Sequence, residues 1–142
     1  MNRIPAPRTV TELDVDILAR TVWGEARGES RQGKIAVAWV VLNRATHPRR
    51  WPDDIQGVCL QPKQFSCWLE SDPNRAALRQ VGWPDLVFRE CLQVALSVCL
   101  GLEQDPTQGS CHYHSSSIEP TWVAGKTPVC AIGRHVFYND IQ

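Results

Sequence analysis

The feature that most constrains the fold is the segment KIAVAWVVLNRA, residues 34–45, which is apolar on nearly every side. A helix on a protein surface needs a polar face, so a helix this uniformly apolar must be enclosed by other elements. The chain has 142 residues, and a domain of that size buries about two thirds of its unfolded surface. We therefore expect a central helix with the rest of the chain packed around it.

The remaining segments indicate a single α+β domain, with helices first and a small antiparallel β region at the C-terminal end. Residues 1–10 contain two prolines and read as an irregular arm, followed by one domain over residues 11–142. Apolar residues at helical spacing predict helices from Leu13 to about Arg27 and from about Pro84 to Leu100, and SDPNRAAL predicts a shorter one capped by Ser71 or Asp72. The last segments, SCHYHS, TWVAGKTPVCAIG and RHVFYND, are short and rich in aromatic and β-branched residues, which favours strands.

Composition argues against several classes of partner. The formal net charge is zero, so charge favours neither nucleic acid nor an anionic membrane. No apolar run approaches the roughly 20 residues that span a bilayer. Two prolines lie where a signal sequence would need its apolar core, so we expect synthesis in the cytoplasm without a signal peptide. We also expect a monomer.

Six cysteines do not indicate a disulfide framework here, because the chain is long for a scaffold that depends on disulfides. Cys91 and Cys99 lie eight residues apart in a helical segment, which separates them by about 12 Å. A disulfide requires a Cα separation below about 7 Å. We expect thiols that are mostly buried.

The most informative polar residue is Glu25, near the end of the first helix. Leu18, Val22 and Glu25 follow the i, i+4, i+7 spacing, so Glu25 lies on the stripe that faces the core. Partial desolvation and the negative end of the helix dipole both favour a protonated carboxyl there, as a general acid requires. Three other interpretations remain open: a buried ion pair with Arg27 or Arg44, an ordinary surface residue, and a metal ligand.

The segment ARTVWGEARGESRQGKIAVAWVVLNR, residues 19–44, resembles the core motif of the spore cortex-lytic (SleB-like and CwlJ-like) family of cell wall hydrolases. That motif reads aromatic-x-Glu-[Ala/Ser]-Arg-Gly-Glu, followed by a helix with Ala-Val-x-x-Val-x-Leu-Asn-Arg. The similarity covers roughly residues 14–138 and continues in GVCLQPKQFSCW, DPNRAA, GSCHYHSSS, TWV and IGRHVFY.

The resemblance implies a mainly helical, lysozyme-like domain that acts on peptidoglycan. Glu25 occupies the position of the family's catalytic acid. Glu29 takes a supporting role, either capping the next helix or holding Arg27 and the loop. The family's strand commonly reads Tyr-x-Phe-Asn-Pro, whereas this chain has Tyr113, His114, Ser115 and Ser116 there. A short catalytic domain without a signal peptide fits a phage or prophage endolysin that is released through a holin pore.

The expected reaction is cleavage of the bond between N-acetylmuramic acid and N-acetylglucosamine. A lytic transglycosylase needs one glutamate, because the C6 hydroxyl of the muramoyl sugar serves as the nucleophile. A hydrolytic muramidase needs a second carboxylate. The candidates for that carboxylate are Asp53, Asp54, Glu70, Asp72 and Asp85, none of which lies in a distinctive motif. We favour the transglycosylase, which requires no metal and no cofactor.

Sugars bind to aromatic faces and hydrogen-bonding groups. The expected substrate-binding residues are Gln64, Phe65, Ser66, Trp68, Tyr113, His114, Trp122 and His135. Two rival functions remain. One is a zinc-dependent amidase that uses His112, His114 and His135 as ligands. The other is a glycan-binding module without catalysis, which would not need a carboxyl group on the apolar stripe.

Overall fold

The computed structural model describes residues 9–47 and 50–139. The expected arm over residues 1–10 lies outside this range except for Thr9 and Val10, which have no regular structure. The helices and strands, in chain order, are α1 (Glu12–Ala26), α2 (Arg31–Ala45), α3 (Ile55–Leu60), α4 (Arg75–Gln80), α5 (Leu86–Cys99), β1 (His112–Ser115), β2 (Cys130–Ile132) and β3 (His135–Tyr138). Two short 3-10 helices, Ser66–Trp68 and Thr121–Val123, lie between them. The α+β prediction is confirmed.

Side-chain caps define where the long helices begin. The Thr11 hydroxyl accepts from the Asp14 amide at 3.2 Å, and the Asp14 carboxylate accepts from the Thr11 amide at 2.9 Å, which together form a capping box at the start of α1. Ser30 caps α2 through the amide of Gly33 at 3.2 Å. Leu18 and Val22 are fully buried, so the Leu18–Val22–Glu25 stripe of α1 faces the core as its spacing predicts.

Helix α2 is the enclosed helix that its composition predicts. Residues 33–41 are all buried. One side of α2, including Val37 and Val41, packs in the core formed with α1 and α5. The opposite side places Ala36 and Val40 against Phe137 of β3, under the sheet. The helix is apolar all round because it separates two cores.

The three strands form an antiparallel sheet in the order β1-β3-β2. Tyr113 pairs with Phe137, and Ser115 pairs with His135. Side chains alternate between the two faces of a strand, so these residues form the inner face of the sheet, toward the helices. The outer face carries Val136 and Tyr138, which pack against the Thr121–Val123 turn.

Some local expectations differ from the structure. Helix α4 begins at Arg75 rather than beside Ser71, because the Asp72 carboxylate accepts from the Asn74 amide at 2.8 Å and forms a turn there. The TWV segment is a 3-10 helix rather than a strand. All six cysteines are thiols, Cys91 and Cys99 among them. Within the described residues, no helix has the length and apolarity that a bilayer crossing requires.

Gly24 provides a test of how closely α1 packs against the Ser66–Trp68 turn. A Cβ atom on Gly24 would lie 2.7 Å from both Cβ and Sγ of Cys67. Alanine normally stabilises a helix interior by about 1 kcal/mol relative to glycine. We expect Gly24→Ala instead to lower the free energy of unfolding by about 1–3 kcal/mol, because the packed turn must move.

Urea unfolding followed by circular dichroism measures this effect. The matched control is the double variant Gly24→Ala/Cys67→Gly, which removes both clashing atoms and should recover part of the loss. A stabilised Gly24→Ala variant would contradict the close packing.

Candidate active site

Glu25 lies in the last turn of α1, at a cavity of about 540 Å³. Leu18 and Val22 on the same stripe are fully buried, whereas Glu25 is partly exposed. The cavity is lined by the end of α1, the following loop and one edge of the sheet: Gly24, Glu25, Ala26, Arg27, Gly28, Glu29, Ser115, Ser116, Ser117, Arg134 and His135. The apolar stripe therefore ends in a carboxyl group that faces a space large enough for a small ligand.

Tyr113 is the hydrogen-bond partner of Glu25. Its hydroxyl donates to Oε1 of Glu25 at 2.6 Å, across 88 residues of sequence. Burial raises the pKa of Tyr113 well above its usual value, and the negative charge of Glu25 acts in the same direction. Tyr113 thus keeps its proton and acts as a donor. It fixes one oxygen of a carboxyl group that lines the cavity.

Two more titratable groups lie beside the carboxyl group of Glu25. Burial lowers the pKa of His135, whose ring lies 4.8 Å from the ring of Tyr113 between centroids. Burial also raises the pKa of the Cys67 thiol, and Glu25 adds to that rise. Both groups are therefore uncharged near neutral pH.

Glu29 holds the turn between β2 and β3. Its carboxylate accepts from the Arg134 amide at 2.9 Å and from Nε of Arg134 at 3.0 Å. These hydrogen bonds, together with the charge of Arg134, lower the pKa of Glu29. Gly133 has φ +58°, and a Cβ atom on it would clash with Oε1 of Glu29. We name the contact among Glu29, Gly133 and Arg134 the hairpin latch.

The hairpin latch refines the expected supporting roles of Glu29 and Arg27. Glu29 holds Arg134 rather than Arg27, and Ser30 provides the cap of α2. Arg27 lies with its guanidinium 4.3 Å from the ring centroid of Trp23 and donates to Asn74 at 3.1 Å. Neither Arg27 nor Arg44 forms a direct ion pair with Glu25 among the described residues. Glu25 therefore keeps its carboxyl group for other interactions.

The segment from Gln64 to Trp68 only partly matches its expected role as a wall of the cleft. Phe65 is 3% exposed and belongs to the helical core. Trp68 packs against the same core and donates through Nε1 to Thr21 at 2.9 Å. The placement of these two rings differs from the prediction because the chain turns them inward to cover α1. Gln64 and Ser66 are exposed but do not line the 540 Å³ cavity.

The expected residues on the sheet separate onto its two faces. Tyr113 and His135 lie on the inner face, toward Glu25. His114 lies on the outer face, where it stacks on Tyr138 at 5.4 Å, and Trp122 covers both rings. His114 and Trp122 thus differ from the prediction that they line the same cleft, because neighbouring strand residues point to opposite faces.

The same alternation bears on the zinc hypothesis. His112 and His114 lie on the outer face and His135 on the inner face, so the three rings do not converge on one ion. Across residues 9–47 and 50–139, no group of three histidine, cysteine or acidic side chains is placed to hold a metal ion. The geometry thus does not support the zinc-dependent amidase.

Sequence reasoning missed the polar wall opposite Glu25, which is formed by Ser115, Ser116, Ser117 and Arg134. Ser115 ends β1, and the other three lie in turns, so none of them carries a periodic signal, and the pairing of β1 with β3 brings them to the cavity. The single hint is the glycine in IGRHVFY, since Gly133 has the positive φ that the turn requires. Sequence reasoning also considered Arg44 only as an ion-pair partner for Glu25, whereas the structure places it beside Gln64 and Cys111.

A second cavity, of about 460 Å³, lies beside α3 and is lined by Pro52, Asp54, Gln56, Gly57, Leu60, Gln61 and Pro62. Its carboxylate is already engaged, because Asp54 caps α3 through the amide of Gly57 at 2.6 Å. Of the two cavities, the one at Glu25 has the chemistry of an active site.

Comparison with known proteins points to one family. The model of the cell wall hydrolase family matches residues 28–138, a span that begins just after Glu25. A spore cortex-lytic enzyme from Halalkalibacterium halodurans is 31% identical over 134 residues, which are 94% of this chain and 37% of that protein. The spore cortex-lytic enzyme of Bacillus subtilis strain 168 is 30% identical over 136 residues, which are 92% of this chain and 39% of that protein. The chain thus spans less than half the length of these relatives.

Solved structures resemble the fold over nearly its whole length. The catalytic domain of the Bacillus cereus SleB protein has a TM-score of 0.75 at 27% identity, covering 97% of this chain and 98% of that one. The catalytic domain of the germination-specific lytic transglycosylase SleB from Bacillus anthracis has a TM-score of 0.70 at 26% identity, covering 94% and 99%. The mainly helical fold with a small C-terminal sheet is therefore shared with these domains.

The hairpin latch gives a prediction for Gly133→Ala. Its Cβ atom would displace the Glu29 carboxylate from Arg134, and the positive φ adds strain of about 1–2 kcal/mol. We expect Gly133→Ala to lower the free energy of unfolding by about 1–3 kcal/mol beyond that strain, because it breaks a charged hydrogen bond. Urea unfolding measures the loss.

Gly125→Ala is the matched control, since Gly125 has φ +73° with no atom within 4 Å of its added Cβ. It reports the backbone strain alone. Equal losses in the two variants would mean that the latch contributes nothing to stability.

Proposed function

The chain belongs to the cell wall hydrolase family, and on that premise we propose that it is a peptidoglycan lytic transglycosylase. Its substrate is the glycan strand, cut between N-acetylmuramic acid and N-acetylglucosamine, with Glu25 as the catalytic residue. The similarity to spore cortex-lytic enzymes and to a lytic transglycosylase domain supports this class of reaction. The assignment to Glu25 rests on the geometry of the cavity.

The observation that carries the proposal is the difference between the bonding partners of the two carboxyl groups at the cavity, those of Glu25 and Glu29. Both oxygens of Glu29 are held by Arg134. Glu25 has one oxygen held by the Tyr113 hydroxyl and no ion pair among the described residues. Glu25 is thus the carboxyl group at this cavity that can exchange a proton with a ligand.

A single exchangeable carboxyl group supports transglycosylation over hydrolysis. Glu25 donates its proton to the glycosidic oxygen, and the bond between that oxygen and C1 of the muramoyl sugar breaks. The C6 hydroxyl oxygen of the same sugar then bonds to C1, and the Glu25 carboxylate takes the hydroxyl proton. The product is a 1,6-anhydro ring, no water is consumed, and Glu25 returns to its protonated form.

The hydrolytic muramidase is the second candidate and would need another carboxylate near the bond. Three of the acidic residues proposed from the sequence have structural roles instead. Asp54 and Asp85 cap α3 and α5, and Asp72 binds the Asn74 amide. None of the five candidates lines the cavity at Glu25, which weakens the muramidase proposal.

The proposal also covers the partner of the enzyme, its oligomeric state and its route to the cell wall, as they were expected from the sequence. The substrate partner is peptidoglycan, and the enzyme acts as a monomer without a cofactor. Release through a holin pore, as a phage or prophage endolysin, stays a prediction, and so does synthesis in the cytoplasm.

Glu25→Gln tests the proposal, because glutamine keeps the shape of the side chain but cannot donate the proton. General acid–base catalysis contributes roughly 10²–10⁴-fold, so we expect a loss of that size in the release of muropeptides from purified sacculi. Mass spectrometry identifies the products of the wild-type chain. Anhydro-muropeptides, lighter by one water than the hydrolytic products, are expected.

The control is Glu12→Gln, an exposed glutamate in the first turn of α1, at the other end of the helix from Glu25, which should keep wild-type activity. Reducing-end muropeptides would identify a muramidase, and freed stem peptides would identify an amidase. If Glu25→Gln retained full activity, Glu25 would not be the catalytic residue. If the wild-type chain bound sacculi without releasing products, it would be a binding module.

A further inference from the structure

Arg134, in the turn between β2 and β3, places a positive charge on the wall of the cavity at Glu25. Its side chain is 73% exposed, whereas the side chain of Glu29, its ion-pair partner, is 7% exposed. A long side chain that is so open to solvent normally samples many conformations. The contacts of Arg134 within the hairpin latch restrict it instead, so its charge has a defined position at the cavity.

The hairpin latch uses only part of the Arg134 guanidinium group. Nε donates to Oε2 of Glu29 at 3.0 Å, and Nη2 donates to the carbonyl oxygen of Gly28 at 3.5 Å. Nη1 has no hydrogen-bond partner among residues 9–47 and 50–139. An arginine side chain has five N–H donors, so the guanidinium group keeps donors for a ligand while Glu29 holds it in place.

Hydroxyl groups lie on the same wall as the guanidinium group. The Ser116 amide donates to the Arg134 carbonyl at 2.7 Å, which joins this turn to the β2–β3 turn. The hydroxyl oxygens of Ser115 and Ser117 lie 2.9 Å apart, and all three serines line the cavity. Guanidinium and hydroxyl groups both donate hydrogen bonds to carboxylate oxygens, and the bonds from a guanidinium group are strengthened by charge. The wall therefore suits a carboxylate ligand.

The charges that line the cavity also favour an anion. The charged side chains in the lining are those of Glu25, Arg27, Glu29 and Arg134. Burial lowers the pKa of His135, so its ring is neutral near neutral pH. When Glu25 carries the proton that a general acid needs, two arginines are balanced by a single carboxylate, that of Glu29. The cavity then has an excess of positive charge, which attracts an anionic part of a substrate.

The substrate of the proposed reaction has carboxylates close to the bond that breaks. Each muramoyl sugar carries a lactyl group, whose carboxyl group is free on a bare strand and is joined to a stem peptide on a substituted strand. Stem peptides carry carboxylates of their own. A strand with its glycosidic oxygen at Glu25 therefore presents a carboxylate beside the wall that carries Arg134.

We propose that Arg134 binds a carboxylate of the glycan substrate, so that the enzyme prefers strands with free carboxyl groups. Glu29 positions the guanidinium group, and the hydroxyl groups of Ser115, Ser116 and Ser117 complete the site. The carboxylate belongs either to the lactyl group of a bare strand or to a stem peptide. This inference names a subsite of the active site proposed above and rests on that proposal.

Four preparations of glycan strands test the preference. Strands that carry stem peptides are compared with bare strands from which an amidase has removed the peptides. Each kind is measured with free carboxyl groups and after carbodiimide and methylamine have converted these groups to neutral methylamides. Amino groups are acetylated beforehand in all four preparations, so that they do not react. The kind of strand that shows the preference identifies the source of the carboxylate.

We expect the wild-type chain to cleave one kind of strand with a kcat/KM roughly 3- to 10-fold higher when its carboxyl groups are free. The difference should lie mainly in KM, because the carboxylate takes no part in the bond that breaks. In Arg134→Gln the ratio of the two kcat/KM values should fall to about one. Both values come from the same preparation of enzyme, so an unfolded fraction cancels from their ratio.

Arg31→Gln is the matched control. Arg31 also pairs with a glutamate, Glu103, at 3.1 Å, and its side chain is 37% exposed, but it does not line the cavity. This variant should keep the wild-type preference. A wild-type chain without a preference, or an Arg134→Gln variant that keeps it, would overturn the proposal. An equal loss in both variants would also overturn it, because the preference would then follow the net charge of the protein.

If Arg134→Gln does not fold, the salt dependence of the wild-type chain decides the question. The distance over which salt leaves exposed charges unscreened falls from about 30 Å at 0.01 M to about 3 Å at 1 M. The preference for free carboxyl groups should decrease over this range. A preference that stays constant would contradict a role for an exposed cation.

Failure of this inference is distinguishable from failure of the proposed function. A wild-type chain that releases no muropeptides from any of the four preparations would contradict the transglycosylase. Calorimetric binding of the same strands to the wild-type chain and to Arg134→Gln would still show whether Arg134 selects carboxylates. An active wild-type chain that cleaves free and methylamidated strands equally well would contradict the inference alone.

Discussion

The enclosure of α2 between two cores is the constraint on which the rest of the structure depends. Its apolar sides require helices on one face and a sheet on the other. Covering the second face brings β1 over the helices, and Tyr113 thereby reaches the end of α1. The contact between Tyr113 and Glu25 is thus a consequence of how the central helix is buried. A polar residue in the middle of α2 would affect the site as well as the core.

The site combines a rigid frame with a carboxyl group, that of Glu25, which forms no ion pair among the described residues. The hairpin latch fixes the sheet edge to the loop after α1, using a carboxylate that is itself withdrawn from chemistry. Tyr113, His135 and Cys67 supply uncharged neighbours, and their shifted pKa values share one main cause, which is burial. Glu29 is held in the hairpin latch by Arg134, whereas the carboxyl group of Glu25 can exchange a proton. This difference explains how two glutamates that lie four residues apart have different roles.

The sequence predicted the elements whose signals are local. The apolar composition of residues 34–45 indicated the enclosed helix, and the spacing of Leu18, Val22 and Glu25 placed the carboxyl group on the inner stripe. The aromatic residues were harder to place. Phe65 and Trp68 turn inward, and Trp122 covers the outer face of the sheet, because tertiary packing decides the direction of a loop residue. Residues without a periodic signal, such as Arg134 and the serines opposite Glu25, become part of the site only through the strand register.

The position of a bound glycan strand tests the central claim most directly. A crystal structure of the Glu25→Gln variant with a peptidoglycan tetrasaccharide would give the distance from the residue 25 side chain to the glycosidic oxygen. The account predicts hydrogen-bond distance, about 2.6–3.2 Å, to an oxygen between a muramoyl and a glucosaminyl ring. A sugar chain bound at another surface, with the cavity beside residue 25 empty of it, would contradict the account.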